Sequence, residues 1–195
     1  MTLAQLGLVS SIFTLGGLIG ALGAAPVSAT RGRLHAMKLT AIFFVLGPLF
    51  ETIAPSITVM SIGRFISGIG AGASIVVVPI YVSEIAPPAE RGFFGSFTQI
   101  MVNVGIFTTQ LLGYLYSYDQ MWRLVLGAGG AIGLGLGIGL FGAAESPKWL
   151  ASCGKIKQGS EILQRIRGRE YDIEEEVQSW SLSRAPDPNP GASVA

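Results

Sequence analysis

Charge and cysteine are both scarce in this 195-residue sequence. Charged side chains make up 13% of the residues, about half the share found in a typical soluble domain. The single cysteine, Cys153, provides neither a disulfide framework nor a metal cluster. The 13 Lys and Arg nearly balance the 12 Asp and Glu, so no basic field indicates nucleic acid as a partner. Hydrophobic residues instead make up 50% of the chain, which indicates a lipid environment.

The uncharged run from Phe65 to Ser83 is the clearest membrane-spanning segment. Its 19 residues would form a helix of roughly 28 Å, close to the hydrocarbon thickness of a bilayer. Charged groups and a proline pair follow, at Glu84, Pro87, Pro88, Glu90 and Arg91. Such a segment cannot lie in lipid or continue the helix, so the chain must turn back in water before the next uncharged run.

The same reasoning predicts an all-α membrane protein with about five spans, near residues 6–26, 39–57, 58–82, 93–116 and 124–143. A signal peptide is the alternative for the first segment, but that segment lacks a basic start and exceeds a typical apolar signal core. Closely spaced glycines in the first and third spans predict tight helix packing. Alternate glycines in the fifth span predict packing on several neighbours.

Three parts of the chain differ in composition. Residues 1–149 form the predicted helical bundle, and residues 150–182 repeat apolar side chains at helical spacing, which predicts two short amphipathic helices. Residues 183–195 contain a proline-rich run that is typical of a disordered tail. Residues 31–38 are predicted to form a short basic loop between the first two spans, and residues 83–92 a second loop. Eleven of the 13 Lys and Arg fall in these two loops and in the segment from residue 145 onward, which predicts that all three face the cytoplasm. A plasma membrane and a vacuole-type membrane both fit.

The fourth predicted span carries polar side chains on one helix face. Gln99, Asn103 and Gln110 follow one stripe with Val102 and Ile106 between them. Amides in a spanning helix turn toward a cavity or another helix, because lipid leaves their hydrogen-bonding groups unsatisfied. They therefore fit either a substrate site for a polar molecule such as a sugar or plain hydrogen bonding between helices.

Several motifs in order resemble the sugar porter family of the major facilitator superfamily. They are Gly-Arg-Phe at 63–65, Pro-Ile-Tyr-Val-Ser-Glu-Ile-Ala-Pro at 79–87, Arg-Gly at 91–92, Gln99, and Glu-Ser-Pro-Lys-Trp-Leu at 145–150. The resemblance covers about residues 6–180 and implies alternating-access transport of a hexose-like sugar. It also implies that Gln99 binds sugar with Val102 and Ile106 as apolar companions. Asn103 shares that face without a counterpart in the resemblance.

The resemblance further implies an inner gate of charged helix ends, formed by Arg33, Glu84, Arg91, Glu145 and Lys148. Taken singly, each is an ordinary solvated helix terminus. Three positions depart from the family's motifs and predict a weaker gate: Ala29, Leu34 and Ala144.

Arg64 and Arg123 are predicted to be structural, because arginine near a membrane surface commonly pairs or extends toward the headgroups. Asp119, Trp122 and Arg123 form a predicted interfacial cluster. No catalytic triad, metal site or phosphate-binding loop is recognisable, so neither an enzyme nor a cofactor is expected.

The resemblance begins at the family's second helix and lacks the second half. We therefore interpret the chain as an incomplete half-transporter that works with a second half or another chain. Proton-coupled transport and facilitated diffusion both stay open. The alternative is a membrane sensor or regulatory subunit that keeps the scaffold without transporting.

Overall fold

The computed structural model describes residues 3–116, 121–168 and 172–182, and regular structure in these ranges is helical. The first five helices are α1 (Leu3–Arg31), α2 (Arg33–Ile53), α3 (Ile57–Ile85), α4 (Arg91–Leu115) and α5 (Trp122–Gly139). The last three are α6 (Pro147–Ser152), α7 (Ile156–Arg167) and α8 (Glu174–Leu182). The prediction of an all-α membrane fold is confirmed.

Four helices of the described ranges, α1, α2, α3 and α5, are long and apolar enough to cross a membrane. Helix α4 has 25 residues but carries three amides, at Gln99, Asn103 and Gln110, which make it less apolar. Its role as a further span stays a prediction.

The connection between α1 and α2 is shorter than the sequence indicated. Residues 31–38 were expected to form a basic loop, but α1 continues through Pro26 to Arg31 and α2 begins at Arg33. Gly32 alone separates the two helices, with φ of 99°. Glycine adopts this left-handed region without a steric penalty, so one residue reverses the chain and the prediction of a loop is wrong.

Helix α3 is the centre of the bundle, because it packs extensively against both α1 and α2. Alternate glycines make this possible. A Cβ at Gly68 or Gly72 would overlap carbonyl oxygens of α1, whereas a Cβ at Gly70 would lie 3.1 Å from the Cβ of Phe43 on α2. The predicted packing role of these glycines is confirmed.

The glycines of α5 behave differently. A Cβ at Gly133 would lie 3.0 Å from the Cβ of Phe44 on α2, but a Cβ at Gly135 or Gly139 would meet nothing within 4 Å. Alternate residues point to different sides of a helix, and the main packing partner of α5 is α2 alone. Among the described residues Gly135 and Gly139 have no such neighbour, so packing on several neighbours stays a prediction for these two glycines.

The described residues from Glu145 onward form a separate compact unit. Within it α6 packs on α7 and α8, around the fully buried side chain of Leu163. A Cβ at Gly159 would lie 2.8 Å from the Pro147 carbonyl oxygen, so glycine is needed where α6 and α7 meet. Helices α7 and α8 lie in the segment 150–182 where two short helices were predicted, and α6 begins just before it, at Pro147. The predicted disordered tail, 183–195, lies outside the described residues.

Substitution in α1 tests the close packing. We expect Gly20→Ala to lower the free energy of unfolding by about 1–3 kcal/mol, because its Cβ would overlap the Ile69 carbonyl on α3. Gly23→Ala is the matched control, since no atom of the described residues would lie within 4 Å of the added Cβ. Thermal unfolding in bicelles, followed by circular dichroism, measures both. Equal stability of the two variants would contradict the close approach.

Candidate functional site

Arg33 and Glu84 form a two-pronged ion pair between α2 and α3. Arg33 Nη2 lies 2.8 Å from Glu84 Oε1, and Arg33 Nε donates to Glu84 Oε2 at 2.9 Å. The side chains are only 18% and 10% exposed. Arg33 Nη1 also donates to the Ser28 carbonyl at 3.0 Å, which satisfies a group in the last turn of α1. One guanidinium thus joins the ends of three helices.

The positions of both charges are unfavourable for their own helices. Arg33 is the first residue of α2, where the helix dipole repels a cation, and Glu84 is the last but one of α3, where it repels an anion. Each placement costs about 0.3–1 kcal/mol at an exposed site. The pairing must offset these costs, so it links two helices rather than stabilising either one.

The other predicted gate residues occupy helix starts. Arg91 is the first residue of α4 and is exposed. In the separate C-terminal unit, the Glu145 carboxylate accepts from the Ser146 N–H at 2.9 Å, and Lys148 is exposed in the first turn of α6. Within the predicted gate, the ion pair described above joins Arg33 to Glu84.

A second ionic cluster lies at the opposite ends of α2 and α3. Glu51 is 2% exposed, accepts from the Ser67 hydroxyl at 2.7 Å, and lies 3.5 Å from the Nε of Arg64. Glycines make room for it, because a Cβ at Gly63 would lie 2.7 Å from Glu51 Cγ. Arg64 thus lies within ion-pair distance of Glu51, and its structural role stays a prediction.

The sequence contained a usable signal for this cluster. Glu51 and Arg64 are isolated charges in two otherwise uncharged neighbouring spans, and such charges usually pair in a membrane. The participation of Ser67 carried no such signal, since serine is common in tightly packed membrane helices.

Arg123 joins the start of α5 to the end of α2. Its Nη2 donates to the carbonyl of Ala54 at 3.1 Å, and its guanidinium lies 5.3 Å from the ring centroid of Trp122. This contact satisfies a carbonyl at the C-terminus of α2. Asp119, predicted in the same cluster, lies outside the described residues.

The predicted substrate residues lie on an open helix. Gln99, Val102, Asn103 and Ile106 are all exposed, and α4 buries none of its residues. The amides of Gln99 and Asn103 make no hydrogen bond with the rest of the described chain. The stripe is therefore available to a ligand or to another protein segment.

Long apolar helices with charges paired at their ends or buried against each other are typical of polytopic membrane transporters. The chain belongs to the "Sugar (and other) transporter" family, whose model matches residues 2–186. Two similar proteins are the sugar transporters ERD6-like 9 and ERD6-like 12 of Arabidopsis thaliana, at 36% and 37% identity over 94% of this chain. The chain spans 55% and 39% of their respective lengths.

Solved structures show the same fold. The partially occluded inward-open form of the xylose transporter XylE from E. coli matches with a TM-score of 0.83 and 26% identity, over 92% of this chain and 46% of that one. The proton:xylose symporter XylE bound to 6-bromo-6-deoxy-D-glucose matches with a TM-score of 0.84 and 25% identity, over 92% and 43%. The match covers the N-terminal half of XylE. The relatives are transporters, in agreement with the prediction that the chain is not an enzyme.

A double-mutant cycle tests the Arg33–Glu84 pair. We expect Arg33→Gln and Glu84→Gln each to lower the free energy of unfolding, because each leaves a largely buried charge unpaired. The coupling energy should be roughly 1–3 kcal/mol, measured by chemical unfolding in micelles. Arg31→Gln, an exposed cation at the same end of the bundle, is the control. Additive effects in the cycle would show that the pair contributes nothing.

Proposed function

We propose that this chain is the N-terminal part of an alternating-access sugar transporter. The observation that carries the proposal is the likeness of its helical fold to half of XylE, a protein solved with a sugar analogue bound. In such transporters the substrate lies near the bilayer midplane, between two repeats that rock around it.

Helix α4 supplies the substrate contacts in this proposal. Gln99 and Asn103 present amide groups that can both donate and accept, which suits the neighbouring hydroxyls of a sugar. Val102 and Ile106 lie on the same stripe and provide apolar contact for the C–H faces of the ring. The exposure of this stripe supports the assignment, because a site between two repeats is open until the second repeat is present.

A second half, in the same polypeptide or in another chain, completes the site. Helix α4 buries no residue yet carries three amides, and amides in a membrane require protein or water partners. The proposed partner supplies them.

The Arg33–Glu84 pair forms part of the inner gate. Because Arg33 contacts α1, α2 and α3 together, it stabilises one arrangement of their ends and not another. A contact made in one state and lost in another biases a two-state equilibrium, which is what a gate requires. Arg91, Glu145 and Lys148 are proposed to act with it.

Protons are a candidate coupling ion. XylE is named a proton:xylose symporter, and Glu51 gives this chain a buried carboxylate within a membrane-spanning helix. Such groups are frequent in proton relays.

Cysteine accessibility tests the proposed orientation. In a background with Cys153 replaced, we expect cysteines at the exposed positions Arg31 and Pro88 to react only from the cytoplasmic side. Their segments, together with the segment from residue 145 onward, hold eleven of the 13 Lys and Arg. A cysteine at Pro55, between α2 and α3, should react only from the other side. Reaction of all three positions from one side would contradict the arrangement of α1, α2 and α3 as spans.

Sugar binding tests the function directly. In a chimera where this chain replaces the matching part of XylE, we expect Gln99→Ala to weaken sugar binding by about 1–3 kcal/mol, because buried polar partners would be left unsatisfied. Asn103→Ala should cost less. Isothermal titration with glucose and xylose measures both, and thermal unfolding reports on folding separately.

The parent chimera provides the control for the proposal as a whole. A folded, inserted chimera that binds no sugar would reject the transporter and favour the sensor or regulatory subunit. A parent that binds sugar equally well with and without Gln99 would reject only the site assignment.

A further inference from the structure

We propose that the groove between α2 and α5 binds a phospholipid with an anionic headgroup, its phosphate held by Lys38. The groove encloses about 330 Å³ and is lined by Lys38, Ala41, Ile42, Val45, Leu46, Leu134, Gly137, Ile138 and Phe141. This inference is independent of the proposed sugar site, which uses α4.

The walls of the groove fit an acyl chain. All of the lining side chains other than Lys38 are apolar, and both helices are long and apolar enough to cross a membrane. From Lys38 to Leu46 the groove follows α2 for roughly 12 Å along the helix axis. Gly137 lies at the floor of the groove, because a Cβ there would point toward α2 and lie 3.7 Å from the Cβ of Ala41. The absence of a side chain at Gly137 leaves this space open.

The groove opens away from the bundle. Ile138 and Phe141 on one wall are 64% and 80% exposed, and Ile42 on the other is 52% exposed. A membrane helix turns its most apolar surface to lipid, whereas contact with further protein favours small and polar residues. Protein partners are therefore expected at the amide-bearing α4, and a lipid tail in this groove.

The charge at one end selects the headgroup. The ammonium of Lys38 lies 5.2 Å from the ring centroid of Phe141, which holds it at the mouth of the groove. Within the described helices α1 to α5, no carboxylate lies within ion-pair distance of it. Lys38 is the sixth residue of α2, close enough to the helix start for its long side chain to reach the headgroup layer. A cation above an apolar groove matches an anionic phospholipid, and basic sites between membrane helices commonly bind such headgroups.

Native mass spectrometry of the 195-residue chain tests the proposal. The protein is equilibrated in detergent with equal amounts of phosphatidylglycerol and phosphatidylcholine that carry the same acyl chains. We expect about fivefold more retained phosphatidylglycerol, the preference that one favourably placed cation provides. Lys38→Gln should abolish this preference, and Arg31→Gln should leave it unchanged.

A second pair of variants tests the groove itself. Gly137→Leu should lower retention of both lipids, because its side chain would fill the floor. Gly135→Leu, an equal change on an exposed face of the same helix with open space around it, should not. Circular dichroism shows whether each variant is folded. If Gly137→Leu fails to fold, Lys38→Gln still tests whether the groove prefers the anionic lipid.

Three results would overturn the proposal. Equal retention of the two lipids by the parent would remove the role of Lys38. Displacement of phosphatidylglycerol by soluble glycerol phosphate would assign Lys38 to a free phosphate ester. A dimer that excludes lipid, and that Gly137→Leu but not Gly135→Leu dissociates, would assign the groove to a second copy of the chain.

Discussion

The close contact of α3 with α1 and α2 is the constraint on which the rest of the bundle depends. Lipid tails are as apolar as leucine, so helices in a membrane gain little from burying apolar surface and associate through tight packing instead. Gly68 and Gly72 allow α1 to approach, and Gly70 allows α2 to approach. Because α3 also carries Arg64 and Glu84, its packing fixes where both ionic clusters form.

The two ionic clusters together specify how α2 lies against α3. Helix α2 has a cation at its start and a carboxylate near its end, and so does α3. In the antiparallel arrangement Arg33 meets Glu84 at one end and Glu51 meets Arg64 at the other. The three-residue connection between α2 and α3 already makes the two helices antiparallel, because it is far too short to run back along α2. The charges therefore favour one register of the two helices, since sliding one helix along the other would separate both pairs in a poorly solvated environment.

Most of the helices could be predicted from the sequence because uncharged runs of about 20 residues have few alternatives to a membrane span. The packing of Gly68, Gly70 and Gly72 followed from their spacing. The loop at residues 31–38 was mispredicted, because charge alone does not reveal that one glycine can reverse the chain. The packing of Gly135 and Gly139 stays a prediction, because it depends on neighbours other than the described helices.

The sequence predicted which residues belong to the candidate site, but it did not predict their tertiary contacts. Gln99, Val102, Asn103 and Ile106 were placed on one stripe by helix periodicity, which needs only local information. The Arg33–Glu84 pair joins residues 51 apart in the chain, and its donation to the Ser28 carbonyl depends on how three helix ends meet. Such contacts follow from tertiary packing, which a single sequence does not encode in any local pattern.

The single-residue connection at Gly32 has a mechanical consequence. A long flexible loop would let α1 and α2 tilt independently, but here any change in the angle between them must be absorbed by the two backbone dihedrals of one residue. Arg33 bridges this joint to the Ser28 carbonyl, five residues back along the chain. The short connection and this hydrogen bond together couple the two helices. A movement of α1 is therefore expected to move the start of α2 with it.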